Sequence, residues 1–268
     1  MPNTNTSTST PAEPSLSTHL HYLRYALSLA RRSPPKPTNF RVGCVIVAFD
    51  KKRGGEGEEE GEEKEQGRVL ATGYTLELEG NTHAEQNALA KLAREHGISL
   101  SSETPSSETS SLEYLAELGR EVLTPDKDVY LYTTLEPCGK RLSGNIPCVQ
   151  RIIATRTRTR TPSQGSPGEG GGGPGRDGGG IRKVIFGARE PGTFVQDSAS
   201  LKILDGAGVP WEYVPGLEEE ILRVAKEGHS NQVVQGTNVD DISPEERRRQ
   251  EALPRNPKKR MMEVDVPR

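Results

Sequence analysis

The sequence predicts an α/β domain in which helices and strands alternate and pack in layers. Three observations predict it. Apolar residues recur at three- and four-residue steps in some segments and form short β-branched runs in others. These two patterns alternate along most of the chain, which is the order expected of a layered α/β fold. Segments rich in glutamate, serine, threonine or glycine interrupt the alternation without adding apolar surface.

The first predicted elements are a helix and two strands. Apolar residues spaced three or four apart predict a helix from Leu16 to Ala30, which Pro34 ends. Residues 42–49 and 68–74 are β-branched runs of strand length. The remaining predicted elements are helices over 82–96, 112–122, 148–154, 196–207 and 217–228, and strands over 128–134, 181–187 and 209–214.

Composition predicts that the folded domain is smaller than the chain. Hydrophobic residues make up 31% of the 268 residues and aromatic residues 4%, with 29 Gly and 20 Pro. These values are low for a chain that is packed from end to end. We therefore expect one domain over residues 16–229, with disordered tails at 1–15 and 230–268. Low-complexity inserts are expected near 51–67, 99–111 and 157–180.

Charge and hydropathy argue against two classes of partner. The net charge of −3 gives no reason to expect binding to nucleic acid. No apolar run is long enough to cross a bilayer, and the first residues lack the basic and apolar regions of a signal peptide. We therefore expect a cytoplasmic protein without nucleic-acid or membrane partners. The basic clusters Arg247–Arg249 and Lys258–Arg260 leave nuclear import as an alternative.

One histidine and two cysteines form a candidate metal site. His83 lies at the start of a predicted helix, while Cys138 and Cys148 each follow a proline between a strand and a helix. One imidazole and two thiolates are good zinc ligands, and three protein ligands leave a fourth position for water. Each part alone is common, so the prediction depends on the combination. The remaining candidates are expected to be a buried thiol, Cys44, and structural or surface histidines, His19, His21, His96 and His229.

Glu85 is the candidate catalytic residue. It lies two residues after His83, which places its carboxylate beside a metal ion rather than on it. Zinc lowers the pKa of water by several units. A carboxylate there can take the proton of that water, pass it to a ring nitrogen and help to protonate a departing amine. His-x-Glu followed by Pro-Cys and a second cysteine is the pattern of zinc-dependent base deaminases.

Two longer stretches, Gly80–Leu89 and Thr133–Cys148, resemble the riboflavin-pathway deaminases, and specifically their fungal branch. Nine residues separate Cys138 from Cys148, whereas cytidine, deoxycytidylate, guanine and tRNA-adenosine deaminases place two residues between their paired cysteines. Three further segments extend the resemblance, which covers residues 16–229 apart from the inserts: Val184–Gly187, Glu190–Val195 and Val214–Glu220.

The resemblance implies a cytidine deaminase-like three-layer α/β/α domain with a central mixed five-stranded sheet. It implies one Zn²⁺ per chain, a homodimer, and the hydrolytic deamination of 2,5-diamino-6-ribitylamino-4(3H)-pyrimidinone 5′-phosphate to 5-amino-6-ribitylamino-uracil 5′-phosphate in riboflavin biosynthesis. Bacterial relatives deaminate before the ribose is reduced and often carry a fused reductase domain, for which we expect no room in these 268 residues. We therefore favour the substrate whose side chain is already reduced.

Further residues are predicted to contact this phosphorylated pyrimidine. Asn39 matches an Asn-x-x-Val-Gly pattern that contacts substrate in related enzymes, although an ordinary turn before a strand explains it as well. Lys140, Arg141 and Ser143, between the zinc cysteines, offer cationic and hydroxyl groups for the phosphate, unless they are simply a solvated loop. The predicted substrate-binding set is completed by Asn81, Ala84 and Glu136, of which Glu136 is expected to orient the loop rather than react.

Two other functions stay open at this point. The first keeps the chemistry but changes the substrate to cytidine, deoxycytidylate or a tRNA base. The second is a non-catalytic scaffold that zinc stabilises. The long spacing of the cysteines argues against the first, and the presence of Glu85 without a recognisable fourth ligand argues against the second. Turnover distinguishes the three hypotheses.

Overall fold

A computed structural model describes residues 13–50, 67–99, 112–141, 143–156, 178–191 and 199–229. Residues 13–15 belong to the predicted N-terminal tail. The rest of that tail, the predicted C-terminal tail and nearly all of the three predicted inserts lie outside the described residues. So do residues 196–198, with which the fifth helix was predicted to begin.

The described residues form six helices and five strands in the predicted order. The helices are α1 Leu16–Ala30, α2 Ala84–Glu95, α3 Glu113–Glu121, α4 Cys148–Ala154, α5 Ser200–Gly206 and α6 Glu218–Ala225. The strands are β1 Gly43–Asp50, β2 Arg68–Tyr74, β3 Lys127–Leu135, β4 Lys183–Ala188 and β5 Trp211–Tyr213. Most bounds differ from the predictions by one or two residues, but α5 begins four residues later than predicted.

The strands form one mixed sheet in the order β2-β1-β3-β4-β5. β1 pairs antiparallel with both β2 and β3, whereas β3, β4 and β5 are parallel. The central strand β3 is buried along nearly its whole length, which is the expected environment for its continuous apolar and β-branched run. The predicted mixed five-stranded sheet is confirmed.

Helices cover both faces of the sheet. The core on one face joins α1 and α6 to the sheet through side chains such as Leu23, Tyr132 and Ile221. The core on the other face joins α2, α3, α4 and α5 through side chains such as Leu89 and Leu204. This arrangement confirms the three-layer α/β/α architecture. No helix in the described part of the chain is long and apolar enough to cross a bilayer.

Some residues outside the predicted core are packed. Gly180, assigned to an insert, donates its N–H to the carbonyl oxygen of Leu123 at 2.6 Å. A Cβ atom on Gly179 would lie 2.2 Å from the carbonyl oxygen of Gly119. The last residues of the predicted insert are therefore packed against α3, where glycine allows two backbones to approach closely.

Two of the predicted structural residues are deeply buried. Cys44 is completely buried in the sheet, as predicted. His19 is 3% exposed, and its Nδ1 lies 3.0 Å from the hydroxyl oxygen of Tyr132. Both residues belong to the core and not to the metal cluster described next.

Candidate metal centre and active site

The start of α2 places His83 and Glu85 next to the sheet. His83 is the N-cap residue, just before the helix, and Glu85 is its second residue. Gly73 on β2 makes this close packing possible, because a Cβ atom there would lie 2.2 Å from the carbonyl oxygen of Ala84. The first turn of α2 therefore projects its imidazole and carboxylate over the end of the central strands.

The two cysteines come from the loop that joins β3 to α4. Cys138 follows the buried end of β3, and Cys148 is the first residue of α4, after the N-cap residue Pro147. The N–H of Cys148 donates to Sγ of Cys138 at 3.3 Å, and the N–H of Val149 donates to the carbonyl oxygen of Cys138 at 3.3 Å. The helix start thus holds both thiols close together.

The three predicted zinc ligands converge. One donor atom from each of His83, Cys138 and Cys148 lies within 4.8 Å of the others. Nδ1 of His83 lies 3.5 Å from each Sγ atom. Ligands at about 2.1 and 2.3 Å from a tetrahedral zinc ion are themselves about 3.6 Å apart, so this spacing fits zinc.

The thiol of Cys138 is electrostatically prepared to act as a ligand, whereas that of Cys148 retains its proton. The hydrogen bond from Cys148, and then that from His83, lower the pKa of Cys138 to about 4. The same hydrogen bond raises the pKa of Cys148, so Cys148 stays protonated while Cys138 is a thiolate. Because zinc binds thiolates, we expect metal binding to release that remaining proton.

Glu85 lies beside the metal cluster and is 3% exposed. Its Oε2 accepts a hydrogen bond from Sγ of Cys148 at 3.4 Å, and its Oε1 accepts one from Oγ1 of Thr133 at 3.5 Å. Burial raises the pKa of Glu85, and the negative charge of Cys138 adds to that effect. A carboxylate in this position is well suited to accept and hold a proton.

These residues lie at an open pocket of about 800 Å³, a volume that includes solvent at its mouth. Most of the predicted site residues line it, namely Asn39, Asn81, His83, Glu85, Glu136, Cys138, Lys140, Arg141 and Ser143. Cys148 and Ala84 are completely buried and are absent from the lining. A substrate contact by Ala84 stays a prediction.

Arg141 has contacts that differ from those expected of a phosphate ligand. Its guanidinium donates to the carbonyl oxygen of Asn81 at 2.6 Å and to Oε1 of Gln86 at 3.0 Å. The residue is 8% exposed, whereas Lys140 next to it is exposed. These contacts favour Arg141 as a link between the cysteine loop and α2, and leave Lys140 as the more accessible cation.

Two other predicted residues are held by specific partners. Nδ2 of Asn39 donates to Oδ1 of Asn81 at 2.8 Å, which joins the segment before β1 to the turn before His83. Oε1 of Glu136 accepts a hydrogen bond from the hydroxyl of Ser200. That contact holds the carboxylate that follows β3, while a role of Glu136 in orienting the loop stays a prediction.

Sequence reasoning missed part of the pocket lining, including Glu190. This residue lies two positions after β4, and the carboxyl ends of the parallel strands β3 and β4 meet at one edge of the sheet. Strand order was therefore the signal that could have found it. Burial, and then the negative charges of Cys138, Glu136 and Glu85, raise the pKa of Glu190 to about 8. The other missed lining residues are Thr38, Phe40, Val42, Thr75 and Leu135.

One imidazole, two thiols and an adjacent buried glutamate on an α/β/α domain define the zinc-dependent deaminases as a class. Residues 16–161 match the cytidine and deoxycytidylate deaminase zinc-binding region. The chain belongs to this family, and within it to the Rib2-type deaminases. The predicted zinc cofactor is thereby confirmed.

Two relatives carry the finer comparison, one of them through two solved structures. The Rib2 deaminase of Aspergillus oryzae, as a C-terminal deletion mutant at pH 4.6, is 44% identical with a TM-score of 0.58, over 80% of this chain and 93% of that one. Its complex with DARIPP is 42% identical, with the same TM-score and coverage. The diaminohydroxyphosphoribosylamino-pyrimidine deaminase of Schizosaccharomyces pombe is 26% identical over 79% of this chain. The present chain spans only 36% of that relative's length.

Proposed function

We propose that this protein catalyses the zinc-dependent hydrolytic deamination of 2,5-diamino-6-ribitylamino-4(3H)-pyrimidinone 5′-phosphate. The products are 5-amino-6-ribitylamino-uracil 5′-phosphate and ammonia, within riboflavin biosynthesis. The observation that carries the proposal is the buried carboxylate of Glu85, which lies 3.4 Å from Sγ of Cys148 and beside the predicted zinc ligands. Glu85, His83 and Cys138 line the pocket. Support for the substrate comes from the DARIPP complex of the 42%-identical Rib2 deaminase.

The reaction replaces the 2-amino group of the pyrimidine ring with an oxygen atom from water. Zinc, when bound, supplies a Lewis acid that lowers the pKa of water. Glu85 accepts the proton of the attacking water and delivers it to the adjacent ring nitrogen. Glu85 then takes the second proton of that water from the hydroxyl group now on the ring carbon. It transfers this proton to the amine as the carbon–nitrogen bond breaks, and the amine leaves as ammonia. The elevated pKa of Glu85, caused mainly by burial, suits this carboxyl group to hold a proton between the two transfers.

The charges around the pocket favour one orientation of the substrate. The carboxyl groups of Glu85, Glu136 and Glu190 lie close enough to interact with the metal ligand Cys138 or with one another. A phosphate dianion is attracted by the exposed Lys140, with the hydroxyl of Ser143 as a further donor. We therefore place the pyrimidine ring at the acidic, metal end and the phosphate at the cysteine loop.

The wider biological assignment is part of the same proposal. We propose a fungal enzyme with its deaminase domain over residues 16–229, acting in the cytoplasm as a homodimer. Support for the origin comes from the two organisms of the relatives, Aspergillus oryzae and Schizosaccharomyces pombe. Sedimentation of the purified chain tests the homodimer, because a monomer at micromolar concentration would contradict it.

Ammonia release by purified, zinc-loaded protein tests the function. The panel contains the ribitylamino-pyrimidinone phosphate, its unreduced ribosylamino precursor, cytidine and deoxycytidylate. We expect turnover of the ribityl compound only. Turnover of the precursor alone would reverse the order of reduction and deamination, while turnover of cytidine or deoxycytidylate alone would contradict the substrate and preserve the chemistry. No turnover of any compound by zinc-loaded protein would contradict both.

A further inference from the structure

The pocket wall just before β1 packs against the end of α6. This wall consists of residues 36–41 and contains the pocket-lining residues Asn39 and Phe40. The N–H of Arg41 donates to the carbonyl oxygen of Ala225 at 3.1 Å, and the guanidinium of Arg41 forms an ion pair with Glu227. The last described segment of the chain therefore supports a segment that comes almost two hundred residues earlier.

His229 makes the most specific of these contacts. Its Nε2 lies 3.0 Å from the carbonyl oxygen of Asn39. Because a carbonyl oxygen only accepts hydrogen bonds, Nε2 carries the proton. The same imidazole stacks on the ring of Phe40, with centroids 4.9 Å apart and planes inclined by 4°. One side chain thus holds two consecutive residues of the pocket wall.

Gly228 brings the histidine close enough to make both contacts. Its φ of 94° lies in the left-handed region that favours glycine. A Cβ atom at this position would lie 2.7 Å from the backbone nitrogen of Lys36 and 2.8 Å from the carbonyl carbon of Pro35. The two backbones therefore meet without room for a side chain.

The contact continues from the wall to the catalytic turn. The side chain of Asn39 donates to that of Asn81 at 2.8 Å, and Asn81 lies two residues before His83. The carbonyl oxygen of Asn81 in turn accepts a hydrogen bond from Arg141. His229 thus acts on Asn39 from one side while the turn that carries the zinc ligand holds it from the other.

We propose that His229 is a positioning residue for substrate binding, which fixes Asn39 and Phe40 in the pocket wall. Its effect on substrate rests on the proposed function, but its effect on the wall does not. His229 reaches the site through Asn39 and Phe40, away from Glu85 and the metal ligands. Its loss therefore weakens substrate binding and leaves the chemical step unchanged.

Three variants of His229 separate its two contacts. His229→Ala removes both, His229→Gln retains a hydrogen-bond donor without the stacked ring, and His229→Phe retains the ring without the donor. Lys226→Ala, an exposed position on the same segment, is the matched control. For each we would measure ammonia release, zinc content, the melting temperature and the hydrogen–deuterium exchange of the backbone amides within residues 36–41, apart from Pro37.

For His229→Ala we expect KM to rise about tenfold, the change expected from the loss of one positioned hydrogen bond. We expect kcat within about twofold of wild type and full zinc content, because the variant leaves the metal cluster intact. His229→Gln and His229→Phe should each restore part of the loss, and amide exchange should accelerate at Asn39, Phe40 and Arg41. Lys226→Ala should match wild type in every measurement.

Unchanged KM in His229→Ala, or an equal fall in kcat and zinc content without a rise in KM, would overturn the proposal. If the wild-type protein deaminates none of the substrates, the proposed function fails, and amide exchange alone decides the role of His229. Equal exchange of residues 36–41 in wild type and His229→Ala would then overturn it, while faster exchange confined to those residues would support it.

Discussion

The metal cluster takes its residues from two short segments, whereas the pocket wall is held by contacts among three separate parts of the chain. Two short segments supply the cluster, with His83 and Glu85 at one helix start and Cys138 and Cys148 ten positions apart. In the wall, Asn39 is held by Asn81, 42 positions away, and by His229, 190 positions away. Residue types and spacing therefore identify the chemical end of the pocket, whereas long-range packing forms its substrate end. Variants at the two ends should fail in different ways.

The largest effect should follow the loss of a zinc ligand. Cys148→Ala removes one of three donor atoms, so we expect zinc content and ammonia release to fall to background. Cys44→Ala is the matched control, because this third cysteine is completely buried and is not one of the donor residues of the cluster. Full zinc occupancy in Cys148→Ala, measured by elemental analysis, would remove Cys148 from the ligand set.

Glu85→Gln should sharpen the comparison by separating metal binding from chemistry. The amide has nearly the same shape but cannot shuttle protons, so we expect kcat to fall by about 10²–10⁴-fold. Zinc content should stay unchanged because Glu85 lies beside the donor set. Glu95→Gln, exposed on the same helix, is the control. Near-normal turnover by Glu85→Gln in the ammonia assay would remove this residue from the mechanism.

Lys140→Met should produce a smaller effect, of the kind expected at the substrate end. Loss of the cation weakens attraction of the phosphate, so we expect KM to rise about tenfold with kcat nearly unchanged. The difference from wild type should shrink as ionic strength rises, because salt screens an exposed charge. Lys202→Met, another exposed lysine, is the control. Equal KM values for Lys140→Met and wild type at low salt would exclude a phosphate contact.

The smallest expected effect concerns Glu190 and the dependence of stability on pH. Burial and nearby negative charges raise the pKa of Glu190 from 4.5 to about 8 in the folded protein. The folded state therefore binds an extra proton, and this contribution to the unfolding free energy is complete below pH 4.5 and lost as pH rises through 8. In chelator-treated protein, wild type should lose stability relative to Glu190→Gln as pH rises through that range. Parallel stability curves from urea titrations at pH 5 to 9 would contradict the assignment.

The secondary structure was largely predictable because it depends on local patterns. The apolar stripe of α1 is buried along one face of the helix. The β-branched run of β1 is buried on both faces of the strand. The start of α5 was less predictable, because no capping side chain marks it and Ala199 is the N-cap residue. Gly179 and Gly180 were assigned to an insert because glycine carries no hydrophobic side chain, and only the contact with α3 shows that they pack.

The site was also predictable where it depends on local motifs and unpredictable where it depends on long-range contacts. His83, Glu85, Cys138 and Cys148 were found because few other functions need those residue types at that spacing. Arg141 was recognised as a cation, but its partners Asn81 and Gln86 could not be inferred without knowing how the cysteine loop folds over α2. Its contacts favour a positioning role over the predicted contact with phosphate.

The sequence by itself determined the layered α/β fold, through the alternation of helix and strand patterns. It also determined the predicted zinc ligands and Glu85, because these depend on spacing within one helix start and one loop. Only the tertiary structure decided which remote residues meet at the pocket. Glu190 reaches it through the parallel pairing of β3 and β4, and His229 reaches the pocket wall at Asn39 through the packing of α6 beside the segment before β1. The physical reason is that such contacts depend on strand order and helix placement, which the whole hydrophobic core decides and no short motif encodes.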